Sequence, residues 1–374
     1  MPPRLLFVVA ASHYFISHRL SLALAAQKQG MEVAVATTSS KNFSEDKRHI
    51  ESLGIKVFEV PFHRTGINPF NDIPTFKALY SVFKHFKPDI LHNVALKPIL
   101  YGSFIGKITK IPKIINAIAG LGYVFTSHTL KSRIIRTILL PFLKFSLKKT
   151  VIIVQNPDDE ATIRTWLGHS ADSLHLIQGV GVNTDNFSPA PSLPHNHVIT
   201  LVARMLWSKG IGEVITAAKR LKIAYPQATI QLVGAPDLQN PDHVPENTLQ
   251  KWHNEGLIQW LGERTDVAEI YQNSQIALLP SYREGLPKSL LEAMATGLPI
   301  ITTDAPGCKS LITGTNGLLI PSRNSDALYH AIKMLLDNYS LCQKMGHASR
   351  LLALSTFSER IMHEKTLMLY CMHR

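Results

Sequence analysis

The sequence predicts an α/β protein built from two parallel-sheet domains. Short apolar runs alternate with longer helical stretches almost throughout, and the alternation is interrupted once, near the middle, by a segment rich in proline, glycine and polar residues. With 374 residues and 45% hydrophobic content, the chain can fill two cores of ordinary size. Alternating βα units imply a parallel sheet between helices, and ligands of such sheets gather beyond the carboxyl ends of the strands.

In order, the runs 5–11, 32–37, 56–61, 89–93, 113–117 and 151–155 read as buried strands because they are short, apolar and rich in β-branched residues. Between them, 17–29, 74–86 and 99–107 carry helical periodicity. The break spans 179–197, from Gly179-Val-Gly-Val through Ser188-Pro189 to His197. Strand signals resume at 197–203, 229–234, 258–261, 275–280 and 299–303, with helices at 211–224, 267–273 and 288–296. After Ser322 the strand signal stops, and 326–336, 340–352 and 358–370 read as helices. The expected division is a first domain over 1–185, a second over 186–355, and a terminal helix over 356–374 packing back on the first. Two such domains would face each other across a cleft.

Composition removes several classes. The core-forming content excludes disordered and collagen-like chains, and Cys308, Cys342 and Cys371 are too scattered for a disulfide framework or a zinc site. Pro2-Pro3-Arg4 followed by apolar 5–11 looks a little like a signal peptide, but no A-x-A pattern follows, so a first strand is expected. No run reaches the roughly 18 apolar residues of a spanning helix. The net charge of +12 is uneven: residues 1–190 hold 22 Lys and Arg against 12 Asp and Glu, whereas 191–374 hold 17 against 15. The first half should therefore meet an anionic partner. Its cations are not interleaved with stacking aromatics, so nucleic acid is not the expected one.

The densest chemical signal runs over 280–299. A strand ends at Pro280, Glu284-Gly285 makes a turn, and a helix begins near Pro287, whose fixed φ suits a first turn. Amides of Leu286 and Lys288 at that helix start would suit a phosphate or a sugar hydroxyl. Glu284 and Glu292 lie eight residues apart, and each carboxylate can accept hydrogen bonds from a polyol. The plainer alternative makes Glu284 a turn residue and Glu292 a solvated helix position. After the first strand of the second domain, Arg204 and Lys209, with Gly210 opening a helix, suit a diphosphate: Arg offers a fork and Lys a point charge.

This stretch resembles the retaining glycosyltransferases of family 4, which have the GT-B fold of two Rossmann-like domains. The resemblance rests on Glu284 and Glu292 as an E-x7-E pair, on Ser281-x-x-Glu-Gly-x-Pro287, on Leu291-Glu-Ala-Met-Ala-x-Gly-x-Pro299, and on Gly317-Leu-Leu-Ile-Pro321. The stretch from Gly179 to Pro189 looks like the family's entry into its second domain. The resemblance implies that Arg204 and Lys209 hold the diphosphate of a nucleotide-sugar, that Glu284 positions the sugar, and that Glu292 takes the ribose, beside Gly285, Leu286, Pro287 and Lys288. No Asp-x-Asp occurs in the chain, and protein cations can neutralise the diphosphate, so no metal or other cofactor is expected.

The first domain resembles a bacterial subset of the family that extends sugar chains on polyprenyl diphosphate. The family's usual glycine-rich loop is replaced by Ser12-His-Tyr-Phe-Ile-Ser-His-Arg19, which makes His18 and Arg19 candidate ligand contacts, as against helix-surface residues. His92 and Lys97 are expected in a loop at a strand end, and Gly120 and Gly122 would let backbone approach a ligand, on the acceptor or donor-sugar side. The run 130–149 has six cations, no acids, and Ile, Leu and Phe between them, as a helix lying on an anionic membrane does; a core-facing helix with a basic outer face is the alternative. The expected protein is a UDP-sugar-dependent glycosyltransferase with a polyprenyl-diphosphate-linked acceptor, peripheral on the inner face of the cytoplasmic membrane. A UDP-sugar 2-epimerase of the same fold and a non-enzymatic membrane- or nucleic-acid-binding protein stand as alternatives.

Overall fold

The computed structural model describes residues 2–38, 43–62, 72–120, 130–168 and 173–372. They form two units, Met1–Val180 with His363–Arg374, and Gly181–Met362.

The first unit runs β1 (Arg4–Val9), α1 (Ser12–His18), α2 (Leu20–Lys28), β2 (Glu32–Thr37), α3 (Phe43–Ser52), β3 (Lys56–Glu59), α4 (Ile73–Phe86), β4 (Ile90–Val94), α5 (Leu96–Ile108), β5 (Lys113–Ile118), α6 (Leu130–Leu147), β6 (Val151–Val154), α7 (Pro157–Leu167) and β7 (Leu174–Leu176). Its sheet has the order β3-β2-β1-β4-β5-β6-β7, all parallel. The order reverses between β1 and β4, where Phe7 pairs with His92. Both faces are covered: Leu5 to Val9 are all buried, as a central parallel strand requires.

The second unit runs β8 (Val198–Val202), α8 (Ile211–Ala224), β9 (Thr229–Val233), α9 (Glu246–Asn254), β10 (Gln259–Gly262), α10 (Val267–Gln272), β11 (Ile276–Leu279), α11 (Lys288–Ala295), β12 (Ile300–Thr303), β13 (Gly317–Ile320), α12 (Ser325–Asp337) and α13 (Tyr339–Thr356). Its parallel sheet is ordered β10-β9-β8-β11-β12-β13 and reverses between β8 and β11. Helix α14 (Glu359–Cys371) begins in this unit and ends in the first. There Lys113 Nζ donates to the carbonyls of Leu369 (2.7 Å) and Tyr370 (2.9 Å), capping the helix with a cation where its dipole favours one.

Several elements differ from expectation. The helix expected over 17–29 starts at Ser12 and is interrupted at Arg19, which leaves helical geometry at φ −131°. The first strand accordingly stops at Val9. Helix α3 was not foreseen because it is polar and buries only Ile50, and β7 because three residues carry no period. Helix α9, which buries only Leu249, was missed for the same reason as α3, and β13 was read as motif rather than strand.

Helix α6 carries two apolar faces. Leu139, Leu143 and Leu147 are buried in the core, yet Ile138, Phe142 and Phe145 are more than half exposed on another face. Lys107 of α5 covers Phe145, its Nζ 4.5 Å from the ring centroid and 3.2 Å from the Ser146 carbonyl. Burial and the charge of Lys148 push the Lys107 amine down to about 8.

Candidate functional site

In the second unit the loops after β8, β9, β11 and β12 converge where the strand order reverses, the place where open α/β sheets bind ligands. The loop after β8 carries Arg204 and, in a short 3-10 turn, Lys209. Gly210 ends that turn in the left-handed region, φ 78°, and a Cβ there would strike the Pro280 carbonyl. This close approach sets Lys209 against the loop after β11. Its ammonium donates to Glu284 Oε1, and both side chains are mostly buried, 16% and 14% exposed.

Glu284 is fixed from a second side, because its amide donates to the Pro306 carbonyl at 3.0 Å. Gly307, at φ 79°, lies so close that a Cβ would collide with the Glu284 carbonyl. Cys308 lies in the field of Glu284 and Lys209, and burial first, then the Glu284 charge, push its thiol up to about 12. It is an inert packing group at neutral pH. Tyr282 donates to Glu213 at 2.8 Å, and the Arg323 guanidinium stacks 4.3 Å over its ring, which holds the rest of the β11 loop.

Glu292 is not the solvated helix position that the plainer alternative made it. It sits on the second turn of α11 with its side chain mostly buried, 13% exposed, and burial raises its pKa despite Lys288 Nζ at 3.4 Å. The helix starts at Lys288 with Pro287 as its extended N-cap, and Leu286 is buried. Arg204 is 58% exposed and bonds Asp237 at 2.7 Å. The site therefore brings Lys209 and Glu284 together, while Arg204 is held on the adjacent loop by an acid that sequence reasoning missed. Asp237, four residues past β9, had only its place at a strand's carboxyl end as a signal.

The first-unit candidates divide. His18 stacks on Tyr14, ring centroids 4.1 Å apart, on the outer side of α1, whereas Arg19 is buried. His92 is not in a loop: it is the third residue of β4 and is buried. Its Nδ1 is 2.6 Å from the Tyr370 hydroxyl of α14, and Phe7 stacks on its ring. Burial, with the Arg19 charge, holds its pKa well below the usual value. Lys97 sits in the first turn of α5, 3.6 Å from buried Asp72, which also accepts from Tyr101. Burial lowers the Lys97 pKa and Asp72 opposes that shift. Gly120 follows β5 at φ 106°, and Gly122 lies outside the described residues.

These two doubly covered sheets define the GT-B fold. Solved structures of that fold superpose along the whole chain: HepE of Anabaena in complex with UDP and glucose (TM-score 0.80, 16% identity, 98% of this chain and 99% of that one) and WaaG, a glycosyltransferase involved in lipopolysaccharide biosynthesis (0.75, 15%, 99% and 100%). "Glycosyl transferase 4-like" matches residues 4–156 and "Glycosyl transferases group 1" matches 184–352, so the chain belongs to the family-4 glycosyltransferases. It is similar to the Campylobacter jejuni N,N'-diacetylbacillosaminyl-diphospho-undecaprenol alpha-1,3-N-acetylgalactosaminyltransferase, 29% identical over 87% of this chain and 88% of the relative. It is also 26% identical, over 76% of each, to the Escherichia coli UDP-Gal:alpha-D-GlcNAc-diphosphoundecaprenol alpha-1,3-galactosyltransferase.

Proposed function

We propose that this glycosyltransferase moves a hexose or N-acetylhexosamine from a UDP-sugar to a saccharide carried on a polyprenyl diphosphate. The anomeric configuration is retained and no metal ion is required. The observation that carries this reading is the Lys209–Glu284 pair at the strand-order reversal of the second sheet. Lys209 and Arg204 are cations whose present partners, Glu284 and Asp237, can yield them to a diphosphate. They would stabilise the charge left as the glycosyl bond breaks, the role a divalent ion plays elsewhere. Glu284, released from Lys209, accepts from sugar hydroxyls, and buried Glu292 accepts from the ribose. The acceptor hydroxyl attacks from the side the diphosphate leaves, and the departing phosphate takes its proton, so no enzymatic nucleophile is needed. The relatives' acceptors and the UDP bound by HepE support the choice of substrates.

With a lipid-linked acceptor, the protein would work at the inner face of the cytoplasmic membrane. Residues 73–156 hold 13 Lys and Arg and one acid, Asp89. On α5 and α6 the side chains of Phe104, Ile108, Ile138, Phe142 and Phe145 are exposed, and these helices and the turn after α6 carry Lys107, Lys144, Lys148 and Lys149. Exposed apolar groups on helices that also carry cations suit an anionic headgroup layer. Among the described residues no helix is long and apolar enough to cross a membrane.

The test is a screen of UDP- and GDP-sugars for nucleoside diphosphate release, with and without polyprenyl-diphosphate-linked saccharides, repeated with EDTA. Release that needs both a UDP-sugar and the acceptor, and that survives EDTA, is expected. Consumption of donor alone would favour an epimerase, and loss of turnover in EDTA would overturn the metal-free scheme. Co-sedimentation with phosphatidylglycerol but not phosphatidylcholine vesicles, weakened by Phe142→Ser with Phe145→Ser, is expected of the membrane face.

A further inference from the structure

The strand order of the first sheet also reverses, between β1 and β4, and beside that point the first unit buries a positive charge it does not balance. Arg19 follows β1 at the break between α1 and α2 and is 6% exposed. Among the described residues its buried Nε has no hydrogen-bond partner and its guanidinium forms no ion pair. Burial first, and then the Arg19 charge, lower the pKa of His92 on β4 and of His363 on α14, whose ring lies 3.2 Å from Ser21 Oγ.

His92 supplies a second orphan. Burial keeps the Tyr370 hydroxyl protonated, and among the described residues its partner is His92 Nδ1. The hydroxyl therefore donates to Nδ1, which fixes the neutral ring's own proton on Nε2. Nε2 is buried without a partner as well. Two N–H donors, one on a cation, thus lie in one buried region of the sheet with no acceptor supplied by the described residues. Leaving such groups unpaired is costly, so a fold that keeps them calls for an acceptor from elsewhere.

We propose that Arg19, aided by His92 Nε2, is a diphosphate-binding residue of the first unit. A guanidinium fork matches paired phosphate oxygens, and the reversal point of an open sheet is where such a ligand binds. On the function proposed above, the ligand is the diphosphate of the lipid-linked acceptor. The same chemistry is present in the nucleotide-sugar, and the experiment separates the two.

The full-length protein is saturated with UDP to fill the donor site, then titrated with inorganic pyrophosphate by calorimetry and thermal shift. Wild type should bind pyrophosphate under these conditions. Arg19→Gln should weaken that binding at least tenfold with UDP affinity changed less than twofold, and Arg19→Lys should fall between. The KM for a polyprenyl-diphosphate-linked N-acetylhexosamine should rise in the same order. If Arg19→Gln does not fold, the wild-type titration and Arg19→Lys decide. No pyrophosphate binding beyond the UDP site, equal loss of UDP and pyrophosphate affinity, or a lower melting temperature with unchanged pyrophosphate affinity would each overturn the proposal. Absence of transfer from every nucleotide-sugar would sink the functional reading yet leave the pyrophosphate result standing.

Discussion

Replacing Lys209 with Ala acts twice, and the two effects can be separated. Its ammonium and the Glu284 carboxylate are each about 15% exposed, so removing one partner leaves the other nearly buried and unpaired. Breaking such a pair costs about 3 kcal/mol, the low end for buried pairs because both groups keep some contact with water. At ~2–4 °C per kcal/mol for a unit of this size, the melting temperature should fall by roughly 6–12 °C. Loss of a cation that stabilises transition-state charge should independently reduce transfer at least ~100-fold. Glu284→Gln combined with Lys209→Ala removes both charges. The double variant should regain most of the lost melting temperature while its turnover stays as low as that of Lys209→Ala. Differential scanning fluorimetry and single-turnover UDP release measure the two quantities. Recovery of activity along with stability would show that Lys209 serves only to neutralise Glu284, and the catalytic assignment would fall.

Three further outcomes are expected. Glu292→Gln keeps the shape of a carboxyl whose charged form burial disfavours, so the melting temperature should hold within about 2 °C, while UDP affinity by calorimetry drops about tenfold for want of a charged acceptor. Gly307→Ala forces a Cβ against the Glu284 carbonyl at a left-handed φ and should shift the β11 loop, lowering transfer about 10–100-fold although the residue is assigned no contact with substrate. His363, held down to about 4, and His92, also lowered, are neutral in the folded first unit but take up protons below 6.5 when unfolded. Stability should therefore be full above pH 6.5 and decline as pH falls toward 4; melting curves from pH 7.5 to 5 should show this, and His363→Gln should flatten the trend.

The sequence was most legible where one physical rule acts alone. Helix α8 runs from Ile211 to Ala224 as read, because a left-handed glycine starts it and its apolar spacing is uninterrupted. Lys209 and Glu284 were found from motif spacing, but their mutual pairing was invisible, since it depends on two glycines that bring separate loops within contact. Burial was the quantity least readable. Glu292 and Arg19 are charged residues on helical segments, where solvent is the default, and only tertiary packing withdraws them. His92 was assigned to a strand-end loop, whereas it is buried inside the strand. Its environment is set by Tyr370, nearly three hundred positions away, and no local pattern announces such a partner.

That distance has a consequence for how the molecule is made. On a ribosome, the first sheet emerges long before the segment holding His363 and Tyr370, and the entire second domain is synthesised in between. Until that late segment arrives, the surface it will cover stands open and His92 lacks its phenol. Completion of the earlier domain thus waits on translation of the later one, and a nascent chain stalled before residue 363 should expose the gap to proteases.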